Sequence, residues 1–87
     1  MGRVEAFQVP GCTCVFYSND HPPPHFHVSR PGEWGMRVLF LEQPPRCEVE
    51  FEVRAVPARL RRRIQALAAE HRLELFEEWE RKVDSVR

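Results

Sequence analysis

All eight prolines of this 87-residue chain precede residue 58, and the thirty residues after Pro57 contain none. Proline removes a backbone donor and clashes with the turn before it, so a long helix has room only after Pro57. The stretch before it must be short segments separated by turns. Beyond Val56, Leu60, Ile64, Leu67, His71 and Leu75 recur at steps of three and four, and Phe76, Trp79 and Val83 extend the stripe. Pro57 suits a first helical position, where its missing N–H costs nothing. The spacing predicts one amphipathic helix within residues 56–85, about 25 residues and about 38 Å long. Its outer face would carry Arg61, Arg62, Glu70, Arg72, Glu74, Glu77 and Glu78. Glu74 and Glu78 repel at i,i+4, while Glu77–Arg81 and Glu78–Lys82 attract.

The proline-rich part reads as strands. Cys47, Val49, Phe51 and Val53 alternate with Glu48, Glu50, Glu52 and Arg54, the period of a strand with one buried face. Trp34, Met36, Val38 and Phe40 share a face, with Gly35, Arg37, Leu39 and Leu41 on the other, and the QPPR turn joins the two runs as a hairpin. CTCVFYS is a third strand, HFHVSR a short fourth closed by Pro31-Gly32, and RVEAFQV an edge strand. The expectation is a single α+β domain over residues 1–87. It has an antiparallel sheet of about four strands, with one long C-terminal helix packed on one face. Residues 1–55 would be mainly β, with a proline-rich histidine loop at 20–27. Phe51→Ala should then cost about 3–5 kcal/mol as a core truncation.

Composition excludes several classes. An apolar fraction of 43% suits a packed core rather than disorder. No apolar run approaches the roughly 20 residues that cross a bilayer, and the N-terminus has no basic-then-apolar leader. Ala6 stands where a myristoylation signal needs Ser or Thr. A cytosolic protein is the expectation. Thirteen basic residues, twelve of them Arg, balance thirteen acidic ones, which removes the general attraction that free nucleic-acid binders use. The three cysteines, Cys12, Cys14 and Cys47, are odd in number and lack metal-knuckle spacing. They read as reduced, buried thiols.

The stretch SNDHPPPHFHVSR gathers His21, His25 and His27. On a strand His25 and His27 point one way while Phe26 and Val28 point the other. With Phe26 and Val28 turned to the core, both imidazoles would project from the uncovered face, near Glu48, Glu50 and Glu52. Pro22–Pro24 approximate a polyproline II rod, so a straight rod holds His21 about 12 Å from His25. His25 and His27, about 6.5 Å apart at Cα, can share one ion of the zinc type. A further ligand would come from a carboxylate, Asp20, His21 after a bend, or His71. His71 lies on the apolar stripe, screened from the pair by the sheet. The same pair can instead act as general base and acid, as cleavage of an RNA phosphodiester requires. Arg37 or Arg30 would then neutralise phosphate, and Tyr17 would donate a hydrogen bond. His25→Ala should cost little stability if the imidazoles are merely presented.

At FYSNDHPPPHFHV the chain resembles a small prokaryotic family, domain-of-unknown-function family 4160. Its members carry an aromatic strand, a polar turn and then a His-x-Pro-Pro-His-x-His-Val segment. Here the matching positions are Phe16, Tyr17, His21, Pro23, Pro24, His25, His27 and Val28. The likeness continues in the helix at AAEHRLELFEEWE and covers nearly the whole chain. Family members are often encoded beside another small domain of unknown function, in pairs that resemble toxin–antitoxin modules. The resemblance therefore implies a small cognate protein partner and an RNA or translation target. An unclosed sheet also offers an open face or edge strand to a second copy or another protein.

Overall fold

The computed structural model describes residues 2–83. Five strands follow one another as an antiparallel meander: β1 (Gly2–Arg3), β2 (Thr13–Phe16), β3 (Phe26–Arg30), β4 (Trp34–Leu39) and β5 (Arg46–Glu52). The sheet has five strands where about four were expected, and the segment read as an edge strand, residues 3–9, contributes only Arg3 to the two-residue β1, whose pairing Val4 N–H extends to Cys14 O at 3.0 Å. β3 and β4 are joined by Arg30-Pro31-Gly32-Glu33. Glu33 N–H donates to Arg30 O at 2.9 Å and Gly32 adopts φ +79°, the glycine position of a type II turn.

Phe16, Phe26, Val28, Trp34, Met36 and Val38 form the buried face of the sheet, and the C-terminal helices cover it with Ile64, Ala68, Leu75 and Trp79. The aromatic rings meet edge-on: Phe16 lies 6.4 Å from Phe40 and 6.5 Å from Trp79, centroid to centroid. Burial pushes the Cys14 thiol up to about 11, so it stays a neutral hydrophobe at ordinary pH. Cys47 shifts the same way for the same reason, and all three cysteines are free.

The single helix is replaced by two, α1 (Ala58–Glu70) and α2 (Arg72–Lys82), interrupted at His71. Residue 71 has φ −103° and ψ 23°, yet its N–H still reaches Leu67 O and its carbonyl still accepts from Leu75. No proline or glycine marks this break. An unbroken helix would be about as long as the molecule, whose extents are 36 × 24 × 19 Å, and a change of direction keeps its apolar stripe on the sheet. The junction is also tied down: Arg72 donates from Nε to Phe40 O at 2.9 Å and from a terminal nitrogen to Glu42 O at 3.2 Å. Arg72 is therefore not an outward-facing side chain. Neither is Glu78, which is buried. Its carboxylate accepts from the N–H groups of Glu5 and Ala6 at 2.8 Å each, and Lys82 Nζ donates to it at 2.8 Å, the i,i+4 attraction expected. Pro57 precedes the helix as its N-cap rather than opening it.

The alternation in β5 changes sides. Gly35 stands opposite Phe51, but Met36 stands opposite Val49, which leaves Glu50 as the extra residue of a β-bulge. Cys47 and Val49 thus share the core side with Val38 and Met36, whereas Phe51 crosses to the uncovered face. There its ring lies on Gly35, where any Cβ would collide with it. Phe51 is 47% exposed and Val53 76%. The expected core truncation is corrected accordingly. Phe51→Ala should cost about 1 kcal/mol in denaturant unfolding, roughly half the value of burying a whole phenylalanine. A loss above about 3 kcal/mol would return the ring to the core.

Candidate metal centre at the mouth of the proline loop

Strand parity places one of the two histidines as expected. His27 is paired within β3, opposite Val15 on one side and Arg37 on the other, and its ring stands on the uncovered face. His25 precedes the first ladder pair, Phe26 with Val38, so the alternation does not bind it. Its ring turns under α2 instead. It is 4% exposed and tilts against Trp79 at 5.5 Å, which overturns the expected outward presentation. The two imidazoles nevertheless meet at 5.0 Å, 73° apart.

Asp20 closes the cluster from the loop. Its Oδ2 lies 3.1 Å from His27 Nε2 and 3.6 Å from His25 Nε2. One ligand atom from each of Asp20, His25 and His27 lies within 4.8 Å of the others. The far nitrogens are also engaged. His25 Nδ1–H donates to Pro23 O at 2.8 Å, and His27 Nδ1–H donates to Glu50 Oε1 at 3.1 Å. Both rings are thereby oriented with Nε2 toward the aspartate. The proline loop contributes to this through the Pro23 carbonyl, which can only accept. Asp20 is set by the turn itself, where its N–H donates to Tyr17 O at 3.1 Å and its Oδ2 accepts from Tyr17 N–H at 3.3 Å.

Tyr17 lies over His27 with ring centroids 4.6 Å apart. Arg37 neighbours His27 in register, but its Nε–H donates to Glu48 Oε1 at 2.6 Å. That hydrogen bond holds the Glu48 carboxyl below the usual carboxylate range. Arg30 leans instead toward Gly11, at the other end of β3. His21 is exposed and outside the cluster. His71 sits at the helix break, with Nδ1 2.7 Å from Glu74 Oε1 and its ring 5.5 Å from Phe7; it lies outside the cluster, but with His25 under α2 the sheet does not screen it from that ring as expected. Of the residues singled out in the sequence, the structure brings together Asp20, His25, His27 and Tyr17. The floor supplied by Trp79 and the Pro23 carbonyl were not foreseen. The run of prolines, rich in acceptors and lacking donors, was the only sequence signal for the latter.

The fold and this cluster define a small α+β domain with one open sheet face and a histidine–carboxylate site at its margin. Residues 11–80 match the family described as a domain of unknown function (DUF4160), and the chain belongs to it. No curated protein and no solved structure matches the chain. Among the described residues, no helix is long and apolar enough to cross a membrane.

Proposed function

We propose that the chain binds one divalent ion of the zinc type through Asp20 and the Nε2 atoms of His25 and His27. The observation that carries this reading is the orientation of the two rings. Each imidazole gives its Nδ1–H to an outer acceptor, a backbone carbonyl for His25 and a carboxylate for His27, which is how metal-bound histidines are held. Donors about 2.0–2.1 Å from a tetrahedral ion stand about 3.3 Å from one another. The Nε2-to-Oδ2 separations of 3.1 and 3.6 Å are near that spacing. Three protein donors leave a fourth position for water or a substrate, the pattern of catalytic zinc, and metal-assisted hydrolysis is the reaction class it would serve.

The alternative is a toxin–antitoxin-type module that engages a small partner protein and cleaves RNA with the histidine pair. It keeps the support of the family resemblance. The surroundings favour the metal. Asp20 and Glu50 flank the imidazoles, while the nearest arginine, Arg37, is committed to Glu48. A cation suits that setting better than a phosphodiester.

Metal analysis of protein purified without a histidine tag should find about one equivalent of zinc per chain. Asp20→Ala and His27→Ala should abolish stoichiometric binding, whereas His21→Ala and His71→Ala should retain it. Glu50→Ala, which removes only the outer partner of His27, should weaken binding by about 10–100-fold. Equal losses in the His21 and Asp20 variants would sink the assignment.

A further inference from the structure

The outward side of the two helices carries a charge pattern that the metal site does not use. Arg59, Arg62, Arg63, Ala66, Ala69, Glu70, Leu73, Glu77 and Glu80 are all exposed, and at steps of three and four they trace one stripe along α1 and α2. Its first end is basic and its last end acidic, and its middle carries Ala66, Ala69 and Leu73, the last 80% exposed, around Glu70, which pairs with His71 of its own chain. Among the described residues, Arg59, Arg62, Arg63, Glu77 and Glu80 make no ion pair, whereas their helix neighbours Glu78, Arg81 and Lys82 do. Three unpaired guanidinium groups within two turns repel one another. The arrangement becomes favourable once an acidic surface covers them.

We propose that this stripe is an isologous interface between two copies of the chain, paired antiparallel. A two-fold axis passing between Ala69 and Glu70 sets Arg59 opposite Glu80 of the second copy, Arg62 opposite Glu77, and Ala66 opposite Leu73. Each of these contacts then occurs twice, as two-fold symmetry demands. The pattern is its own complement: one end supplies the charge the other lacks, and the exposed leucine meets a small side chain. Self-association along the sheet edge has no such fit. An antiparallel pairing of β5 with itself centred on Val49 matches only Arg46 with Glu52 and sets Glu48 against Glu50 twice. Contact along one helix stripe is small, so the dimer is weak and reversible, and salt weakens it further.

Sedimentation across a concentration series tests this with exposed residues whose replacement leaves the core untouched. Arg62→Glu alone and Glu77→Arg alone should each weaken dimerisation about tenfold, because each turns two symmetry-related attractions into repulsions. The double variant Arg62→Glu with Glu77→Arg should restore it, since the exchanged charges again face each other across the axis. Leu73→Asp should abolish it. Unchanged melting midpoints in all four would confirm that folding is not what changed. A chain that stays monomeric at every concentration overturns the proposal. So does a dimer that ignores these variants, or a double reversal that fails to rescue. Arginines that bind RNA while the chain stays monomeric would overturn it as well.

Discussion

Zinc at about one hundred times its dissociation constant is expected to raise the thermal midpoint of this domain by about 10–20 °C. An ion that binds only the folded chain adds about 2.7 kcal/mol at that concentration. In a domain of this size each kcal/mol moves the midpoint by about 4–8 °C. The mechanism is an added tie between three parts of the fold. Asp20 belongs to the loop after β2, His27 to the sheet, and His25 rests on Trp79 of α2. One ion on these three donors links loop, sheet and helix. His21 and the cysteines of the unfolded chain bind zinc weakly and trim the gain. Magnesium, which prefers oxygen ligands, should produce no comparable shift. Asp20→Ala should leave calorimetric midpoints unresponsive to zinc. A wild-type midpoint that zinc does not move, or an Asp20→Ala midpoint that moves equally, would remove the centre from this domain.

Much of the architecture was legible because it rests on periodicity. The strand segments, the hairpin of β4 with β5 and the apolar stripe from Leu60 to Val83 follow from alternation and helical spacing, whereas the order of the other strands comes from the pairing alone. What escaped was whatever changes that period locally. A single bulge residue, Glu50, carries Phe51 to the opposite face, and only the pairing register reveals it. His25 was assigned by a parity that applies within a ladder, and the ladder begins one residue later. The break at His71 has no proline or glycine to announce it, and the Arg72 anchors that hold it are tertiary contacts to the β4–β5 turn. The site itself was half readable. The spacing of His25 and His27 and the nearness of Asp20 were visible, and so was the row of glutamates that supplies Glu50. The outer acceptors that orient the rings depend on a backbone carbonyl and a cross-strand contact, which are set by tertiary placement.

Glu78→Ala is expected to destabilise the domain by about 3–5 kcal/mol, the cost of breaking a buried charged pair by removing one partner. The carboxylate looks superfluous in sequence, one glutamate among several on a polar face. In the structure it receives the N–H groups of Glu5 and Ala6 and the Lys82 ammonium. Without it two part-buried backbone donors lose their acceptor, at about 1 kcal/mol each where water can replace it, and Lys82 retains only Glu5 and the Arg3 carbonyl. A loss of that size is a large fraction of the 5–15 kcal/mol typical of a folded domain. The damage should be directional. Val4, Phe7 and Val9 are buried in the N-terminal segment that Glu78 pins to α2, and Phe7 packs edge-on against Phe26 at 5.6 Å. Phe26 separates His25 from His27 in the chain, so release of the segment loosens the layer beneath the candidate metal centre. Hydrogen exchange should show the amides of Glu5 and Ala6 losing protection first. Glu78→Gln, which keeps one carbonyl acceptor, should fall between wild type and Glu78→Ala. A loss below about 1 kcal/mol in Glu78→Ala, with those amides still protected, would mean that apolar packing alone holds the N-terminus in place.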